Sequence, residues 1–339
     1  NRQISSMGPI VAGDTIHARI AGLGICVPDT VLTSAELANR LGVTEEWITS
    51  RVNIHQRHIA SGLSTSDLGA TAAQRAMEDA GISPGDVDLI IVATETPDRL
   101  VPSTACIIQN RLGLVKAAAF DLNAACSGFV YALTVGSQFI ASGACKNVLV
   151  LGAEVLSPFA DWSDEQTCIL FGDGAGAAVL QPTGPDSGIL AWNLGADGSG
   201  RDVLTILAGG SEMPITHQAI DEKLHLAKMN GQEVFIFAMR KVPAITEQVL
   251  AAINLCVEDV DLFVPHQANS HIIEAVARRL GLDPEKVMMN LDHYGNVAAA
   301  SVPLALYEAR QTGRVKPGDL IVLAGFGAGL TWGAIVIRW

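Results

Sequence analysis

The two halves of the chain carry similar segments in the same order. AMEDAGISPGDVDLIIVATE (76–95) resembles VLAAINLCVEDVDLFVPHQA (249–268), with the VDL of each in register. DLNAACSGF (121–129) and NLDHYGNVAAAS (290–301) then occupy matching places, each before a helix-like segment and a strand-like run. Similarity that keeps its order along a chain indicates a duplicated unit. The chain is therefore expected to fold as two copies of one unit.

The elements within each copy predict an α/β fold. Residues 65–80 have the spacing of an amphipathic helix that begins at Ser or Thr, and the turn GISPGD leads from them into the apolar run VDLIIVATE. Apolar runs such as 89–92 and 148–151 have the length of strands buried on both faces. Helices that alternate with such strands predict α/β layers around largely parallel sheets.

Turn-rich residues 182–187 (PTGPDS) indicate where the two copies meet. We expect an N-terminal half over 17–184 and a C-terminal half over 185–339. The polar opening NRQISSMGP has no initiator methionine, so residues 1–16 are expected to be a tail or a cloning remnant.

Composition narrows the class of protein. The 339 residues are 49% hydrophobic, and the mean hydropathy is +0.32, which favours a large core and an oligomer interface. No apolar run reaches the roughly 18 residues of a membrane helix and no secretory signal is visible, so a cytoplasmic protein is expected. The net charge of -13 argues against general nucleic-acid binding. Six cysteines without a CxxC predict free thiols and no zinc site.

Three polar residues stand at matching loops of the two copies. Cys126 follows the LN of the first copy, Asn296 lies in the corresponding loop of the second, and His266 follows the VDLFVP run. If the copies pack with pseudo-twofold symmetry, these loops converge on one cleft. Cys126 also precedes the helix-like segment SGFVYALTVGSQFIASG, whose N-terminus is expected to lower the pKa of the thiol and favour a nucleophilic thiolate. Asn296 offers an amide that donates hydrogen bonds but cannot take a proton.

Other interpretations of these motifs stay open on the residues alone. Cys, His and Asn together also fit a papain-like hydrolase, although the CGSCW surroundings of that family are missing. GDGAGAAVL (172–180) suggests a dinucleotide loop, but it is followed by QPTGP and therefore favours a turn and a strand. AGFGAGLTWG (324–333) predicts a glycine-rich turn whose N–H groups can join that of Cys126 in an oxyanion hole.

Six stretches carry a family resemblance: EEWITSRVNIHQRHIA, AACSGF, LFGDGAGAAVL, VPHQAN, HYGNVAAASVP and GFGAGLTWG. Over nearly all of residues 17–339 the chain resembles the β-ketoacyl-acyl-carrier-protein synthase III branch of the thiolase-like condensing enzymes. The resemblance implies a thiolase-like fold of two pseudo-symmetric halves in αβαβα layers, and a catalytic triad of Cys126, His266 and Asn296. Related elongating synthases have a second His where this chain has Asn296, which favours the chain-initiating type.

The reaction that the resemblance implies starts fatty-acid synthesis. Cys126 would take an acyl group from a coenzyme A thioester, which is a substrate and not a bound cofactor. A malonyl carrier protein would then lose carbon dioxide, with His266 and Asn296 donating hydrogen bonds to the enolate, and the carbanion would attack the acyl-cysteine. The amides of Cys126 and Ala328 would form the oxyanion hole, and Phe326 would guard the acyl pocket.

The resemblance also assigns binding residues and a homodimer. Trp47 and Arg51 match coenzyme A contacts, and Arg278 and Arg279 match a basic pair that docks the carrier protein; a solvated helix face is the alternative for that pair. Val101 matches a side chain, often Phe, that enters the partner's acyl tunnel. A Val there would leave room for longer or branched acyl groups.

Three residues depart from the family at the entrance. Glu165, Ile236 and His271 stand where the family often has Arg, Lys and Arg. These departures leave three alternatives for the substrates. The acyl donor is another coenzyme A ester, the donor is bound to a carrier protein, or the acceptor is a specialised one of polyketide or secondary metabolism. An acyltransferase to a non-malonyl acceptor, a hydrolase and a non-catalytic partner subunit are further alternatives; the presence of all three triad residues argues against the last.

Overall fold

Two five-stranded sheets with helices between and outside them form the frame of the molecule. The computed structural model describes residues 8–13 and 15–339. Its strands are, in chain order, β1 (Ile10–Val11), β2 (His17–Cys26), β3 (Val31–Thr33), β4 (Gln56–His58), β5 (Leu89–Ala93), β6 (Ala118–Leu122), β7 (Val148–Glu154), β8 (Gly174–Thr183), β9 (Gly188–Ala196), β10 (Leu204–Thr205), β11 (Lys228–Met229), β12 (Leu262–Pro265), β13 (Leu320–Gly327) and β14 (Thr331–Arg338). Its α-helices are α1 (Ser34–Leu41), α2 (Glu45–Val52), α3 (Thr65–Ala80), α4 (Thr104–Arg111), α5 (Gly128–Ala141), α6 (His217–Asp221), α7 (Gly231–Ala251), α8 (Ser270–Leu280), α9 (Leu291–Tyr294) and α10 (Ser301–Gln311).

The two sheets share one strand order, which confirms the predicted duplication. The first runs β2-β8-β7-β5-β6, and the second runs β1-β9-β14-β13-β12. In both, a parallel pair (β5 with β7, β12 with β13) is followed by two antiparallel neighbours. Phe263 makes a parallel bridge to Val287 where β6 stands in the first sheet. Strand β1 is the addition to the second copy.

The helices complete five layers. Helices α3 and α4 cover the outer face of the first sheet, α7 packs on the second sheet with α8 against it, and α5 and α10 lie between the sheets. The central layer buries apolar side chains from both copies, among them Ile91, Phe129, Val302, Leu323 and Ile335. Each such side chain contributes roughly 1.5–3 kcal/mol by leaving water. No helix of the described residues is long and apolar enough to cross a membrane.

Local signals explain where the elements begin and end. Ser64 caps α3 in a reciprocal capping box with Asp67, and Gly81 ends the helix with φ 67°. The helix predicted over 65–80 is therefore confirmed. GDGAGAAVL leads into the ten-residue strand β8, as its sequence favoured, and no helix follows it as a dinucleotide loop requires.

The ends of the two halves are visible in the sheets. Strand β8, the last strand of the first sheet in chain order, ends at Thr183, and the next strand, β9, begins at Gly188 and belongs to the second sheet. Residues 1–7 and 14 of the predicted tail lie outside the described residues. For Ile10 and Val11 the prediction of a tail is wrong, because they pair with Trp192 and Ala191 of β9. An edge strand offers unpaired N–H and C=O groups to any neighbouring segment.

Candidate active site

Cys126 lies in a tight turn between β6 and α5, 3% exposed. The preceding residue, Ala125, has φ 47°, and the Asn123 Oδ1 accepts a hydrogen bond of 3.1 Å from its N–H. A Cβ on Gly327, at the end of β13, would lie 2.8 Å from the nitrogen of Cys126. Only glycine lets the second sheet approach the turn this closely. The thiol is therefore held at the meeting point of both copies.

Two N–H groups beside the thiol have no backbone acceptor. Within the described part of the chain, neither the N–H of Cys126 nor that of Ala328 donates to a backbone carbonyl. Ala328 stands in the turn after β13 and borders the same cavity as Cys126. Free N–H groups of this kind stabilise charge that develops on a carbonyl oxygen during acyl transfer.

The prediction of a lowered thiol pKa is wrong. Burial raises the pKa of Cys126 well above its ordinary value, and the nearby carboxyls of Glu95 and Glu154 raise it further. The helix terminus was visible in the sequence, whereas the burial and the two carboxyls depend on tertiary packing. Cys126 therefore rests as a protonated thiol.

His266 follows β12 and is 1% exposed. Its backbone N–H donates to the carbonyl of Ala324 at 2.7 Å. The centre of its ring lies 5.3 Å from that of the Phe326 ring, edge to face. Burial lowers the pKa of His266 to about 3, so the imidazole is neutral near pH 7 and carries one N–H donor. Gln267, next in the chain, fixes this loop by donating to the carbonyls of Pro265 and Met288.

Asn296 is held by its backbone on one side of the site. It accepts a hydrogen bond from the N–H of Gly172 and donates to the carbonyl of Leu170, while its Oδ1 accepts from Ala298 at 2.9 Å. Gly295 has φ 72°, and a Cβ there would lie 2.8 Å from the oxygen of Leu170, so glycine is required. With its oxygen occupied, the amide group of Asn296 is left to donate.

Two cavities meet at Cys126. The first, of about 100 Å³, also has His266, Asn296 and Phe326 on its wall and is mostly apolar. The second, of about 420 Å³, is lined on the other side of the thiol by residues that include Glu95, Asn123 and Ala328. The structure thus brings together the predicted triad, the predicted oxyanion donors and Phe326.

Comparison with known proteins agrees with this geometry. Residues 120–198 match the family model of 3-oxoacyl-[acyl-carrier-protein] synthase III, and residues 250–339 match the model of its C-terminal part. The β-ketoacyl-[acyl-carrier-protein] synthase III of Caldanaerobacter subterraneus subsp. tengcongensis is 50% identical over 327 residues, which cover 96% of this chain and 99% of that protein. The chain belongs to the β-ketoacyl-[acyl-carrier-protein] synthase III family. It is therefore a condensing acyltransferase of fatty-acid initiation with a thiolase-like fold.

Solved structures of the family superpose over almost the whole chain. The Aquifex aeolicus synthase III has a TM-score of 0.89 at 42% identity, covering 95% of this chain and all (100%) of that one. A priming β-ketosynthase from the R1128 polyketide pathway has a TM-score of 0.88 at 33% identity, covering 97% of this chain and 98% of that one.

Helix α2 carries the two residues predicted to contact coenzyme A. The guanidinium carbon of Arg51 lies 3.8 Å from the centre of the Trp47 ring. Asn269, on the wall of the first cavity, donates to the carbonyl of Arg51 at 3.0 Å, and a ring nitrogen of His271 lies 2.9 Å from the carbonyl oxygen of Ser50. Helix α2 therefore stands beside the mouth of the first cavity.

The remaining predicted residues lie away from the thiol. Arg278 and Arg279 are exposed in the last turn of α8, and Glu165 and Ile236 are exposed as well. Val101 is 80% exposed and borders neither cavity of its own chain. The described residues contain no group of three or more His, Cys, Asp or Glu side chains able to hold a metal.

A carboxyl pair near the thiol was missed in the sequence. Glu154 ends β7 and accepts hydrogen bonds from the hydroxyls of Thr94 and Thr96 and from the backbone N–H of Glu95. Burial raises the pKa of Glu95 to about 7. The repeat contained a signal, because it aligns residues 94–96 with the loop of His266.

Proposed function

We propose that this synthase condenses an acyl-coenzyme A with malonyl carrier protein through an acyl-Cys126, giving a 3-ketoacyl carrier protein and carbon dioxide. One observation carries the proposal: the buried thiol of Cys126 borders two cavities, and His266 and Asn296 stand on only one of them. If the acyl group on Cys126 lies in the second cavity, the first cavity is free to bind the malonyl thioester. The names of the relatives support the same reaction class.

In the first stage the sulfur of Cys126 attacks the thioester carbonyl. The oxyanion accepts hydrogen bonds from the N–H groups of Cys126 and Ala328 as the C–S bond to Cys126 forms. The bond to the coenzyme A sulfur then breaks, and coenzyme A leaves with the proton. Fixed donors aimed at the developing charge need no rearrangement during the reaction.

In the second stage the malonyl thioester loses carbon dioxide. The thioester oxygen becomes an enolate, and the N–H of neutral His266 and the amide of Asn296 donate to it. Their apolar surroundings strengthen both hydrogen bonds. The enolate carbon attacks the acyl carbonyl, the bond to Cys126 breaks, and the thiol takes up a proton.

The entrance lies beside α2. The stacked Trp47 and Arg51 offer an aromatic face for adenine and a cation for phosphate. Arg278 and Arg279 lie about 12 Å along α8 from its N-terminal turn, which borders the first cavity, and they offer positive charge to an acidic carrier protein. Glu165, Ile236 and His271 supply no permanent cation there, so carrier docking depends on the arginine pair.

A homodimer is part of the proposal. Leu100 and Val101 are 83% and 80% exposed on one loop, and this adjacent apolar pair suits a contact with a second subunit. A partner's Val101 loop would close the second cavity. The cytoplasmic location stays a prediction.

Polyketide priming is the second candidate, supported by the likeness to the R1128 priming ketosynthase. It uses the same acyl-cysteine and differs in the donor and the pathway.

The test covers both stages in one experiment. Intact-protein mass after incubation with a panel of acyl-coenzyme A esters is expected to show one acyl group, and malonyl carrier protein is expected to remove it with release of carbon dioxide. Loss of the label without malonyl thioester would indicate a hydrolase. Transfer to another acceptor without carbon dioxide would indicate a different acyltransferase.

A further inference from the structure

The second cavity has an unexpected polar wall. Leu156, Phe159 and Ile206 make part of it apolar, as an alkyl chain requires. Glu95 and Asn123 stand on the same wall beside Cys126. Glu95 is half-buried and Asn123 is exposed. An alkyl chain in this cavity would displace water from both polar groups and return no hydrogen bond, which costs free energy.

The carboxyl of Glu95 has no partner of its own. The neighbouring donors all go to Glu154, including the backbone N–H of Glu95 at 3.1 Å. Burial is the sole cause of the raised pKa of Glu95, and no hydrogen bond to another side chain lowers it. Among the described residues the Glu95 carboxyl is thus an uncommitted acceptor that faces the cavity.

Asn123 offers the complementary group. Its Oδ1 is taken by the N–H of Ala125, which leaves the amide Nδ2 without an acceptor in the described part of the chain. The wall therefore presents one free acceptor and one free donor. A hydroxyl group is the small substituent that satisfies both, since it donates one hydrogen bond and accepts others.

We infer that Glu95 and Asn123 select an acyl group with a hydroxyl on its chain, so that this synthase is primed by short hydroxyacyl thioesters in preference to alkyl ones. The inference rests on the proposed function and names its donor class. A site that hydrogen-bonds a substrate hydroxyl discriminates strongly against the analogue without it, because its own polar groups are then left unpaired.

The test compares matched esters in one protein. Wild type is incubated with butyryl-, 3-hydroxybutyryl- or 4-hydroxybutyryl-coenzyme A, and the initial rate of acyl-Cys126 formation is measured by intact mass. At least one hydroxyacyl ester is expected to react about tenfold faster than butyryl. Glu95→Val is expected to abolish or reverse that ratio, and Glu95→Gln, which keeps an acceptor oxygen, to retain part of it. Glu247→Val, on the exposed side of α7, is expected to keep the wild-type ratio.

The outcomes separate the inference from the function on which it rests. A ratio within one protein does not depend on how much of it is folded. Equal rates for butyryl and both hydroxyacyl esters, or the same ratio in wild type and Glu95→Val, would overturn the hydroxyacyl inference and leave the condensing function standing. Absence of any acyl label in wild type would overturn both.

Discussion

The turn before α5 and the turn before α10 have the same backbone conformation and the same side-chain brace. Each places an alanine at positive φ, Ala125 at 47° and Ala298 at 40°. Each is braced by an asparagine two residues earlier, Asn123 or Asn296, whose side-chain oxygen accepts from that alanine. Such backbone strain costs roughly 1–3 kcal/mol and persists only where its surroundings enforce it. Its presence in both copies assigns it to the shared fold and not to catalysis.

The two turns differ in the residue after the strained alanine. Cys126 comes next in the first turn and borders both cavities; Ala299 comes next in the second, fully buried, and borders neither. The two asparagines face Cys126 from opposite sides, Asn296 in the first cavity and Asn123 in the second. The proposed active site thus takes a different side chain from each of two similar turns, Cys126 from the first and Asn296 from the second.

Cys126→Ala makes the two turns alike and has the largest expected effect. Acyl-enzyme formation should fall by about 10³-fold or more because the nucleophile is gone. The fold should persist, since alanine already fits the matching position. Intact mass and thermal unfolding report the two properties. Cys168→Ala, at a fully buried cysteine away from both cavities, is the control and should label normally.

Asn296→Ala and Asn123→Ala separate the roles of the two braces. Asn296→Ala should slow malonyl decarboxylation by about 10²–10³-fold because one enolate donor is lost. Asn123→Ala should instead slow the acylation of Cys126, because Asn123 braces the turn that carries the thiol. This effect should be smaller than that of Asn296→Ala on decarboxylation. Single-turnover measurement of labelling and of carbon dioxide release distinguishes the stages. Equal loss of both stages in both variants would contradict the division of labour.

Gly325→Ala and Gly152→Ala test the matching close contacts. A Cβ at Gly325 would lie 2.9 Å from Cα of Ser127, and one at Gly152 would lie 2.3 Å from the carbonyl oxygen of Ala299. Each should lower the free energy of unfolding by about 1–3 kcal/mol, measured by urea denaturation. Only Gly325→Ala should also slow acylation of the protein that remains folded, because it displaces the turn of Cys126.

Glu95→Gln tests how the charge of Glu95 affects the thiol of Cys126 in the first turn. The ionised Glu95 raises the pKa of Cys126, so its removal lowers that pKa. Because the pKa of Glu95 is about 7, wild type carries the opposing charge only above that pH. Alkylation of Cys126 should therefore be faster in the variant above pH 7, and the two profiles should converge below it. A constant ratio across pH 5–9 would contradict this effect.

The sequence predicted features that depend on which residues stand at equivalent positions of the two copies. It did not predict features that depend on how distant residues pack together. The repeat and the motifs around Cys126, His266 and Asn296 predicted the α/β layers and the meeting of these three side chains at one cavity, because equivalent loops converge when two copies pack with pseudo-twofold symmetry. The thiol pKa could not be predicted, since it depends on burial and on Glu95 and Glu154, far apart in the chain. Strand β1 was missed because two residues have no periodicity.

The central helices have a consequence for how the chain is made. Helix α5 belongs to the first copy, yet it packs against β13 and β14 of the second, and α10 packs against β2 and β8 of the first. Each inner sheet face is covered jointly, because α5 also packs on β5 and β7 of its own sheet and α10 on β12 and β13 of its own. A ribosome that has delivered only the first half has therefore released a sheet whose inner apolar face is covered by α5 but not by α10. Duplication has in this way produced two halves that are similar in structure but dependent on each other for folding.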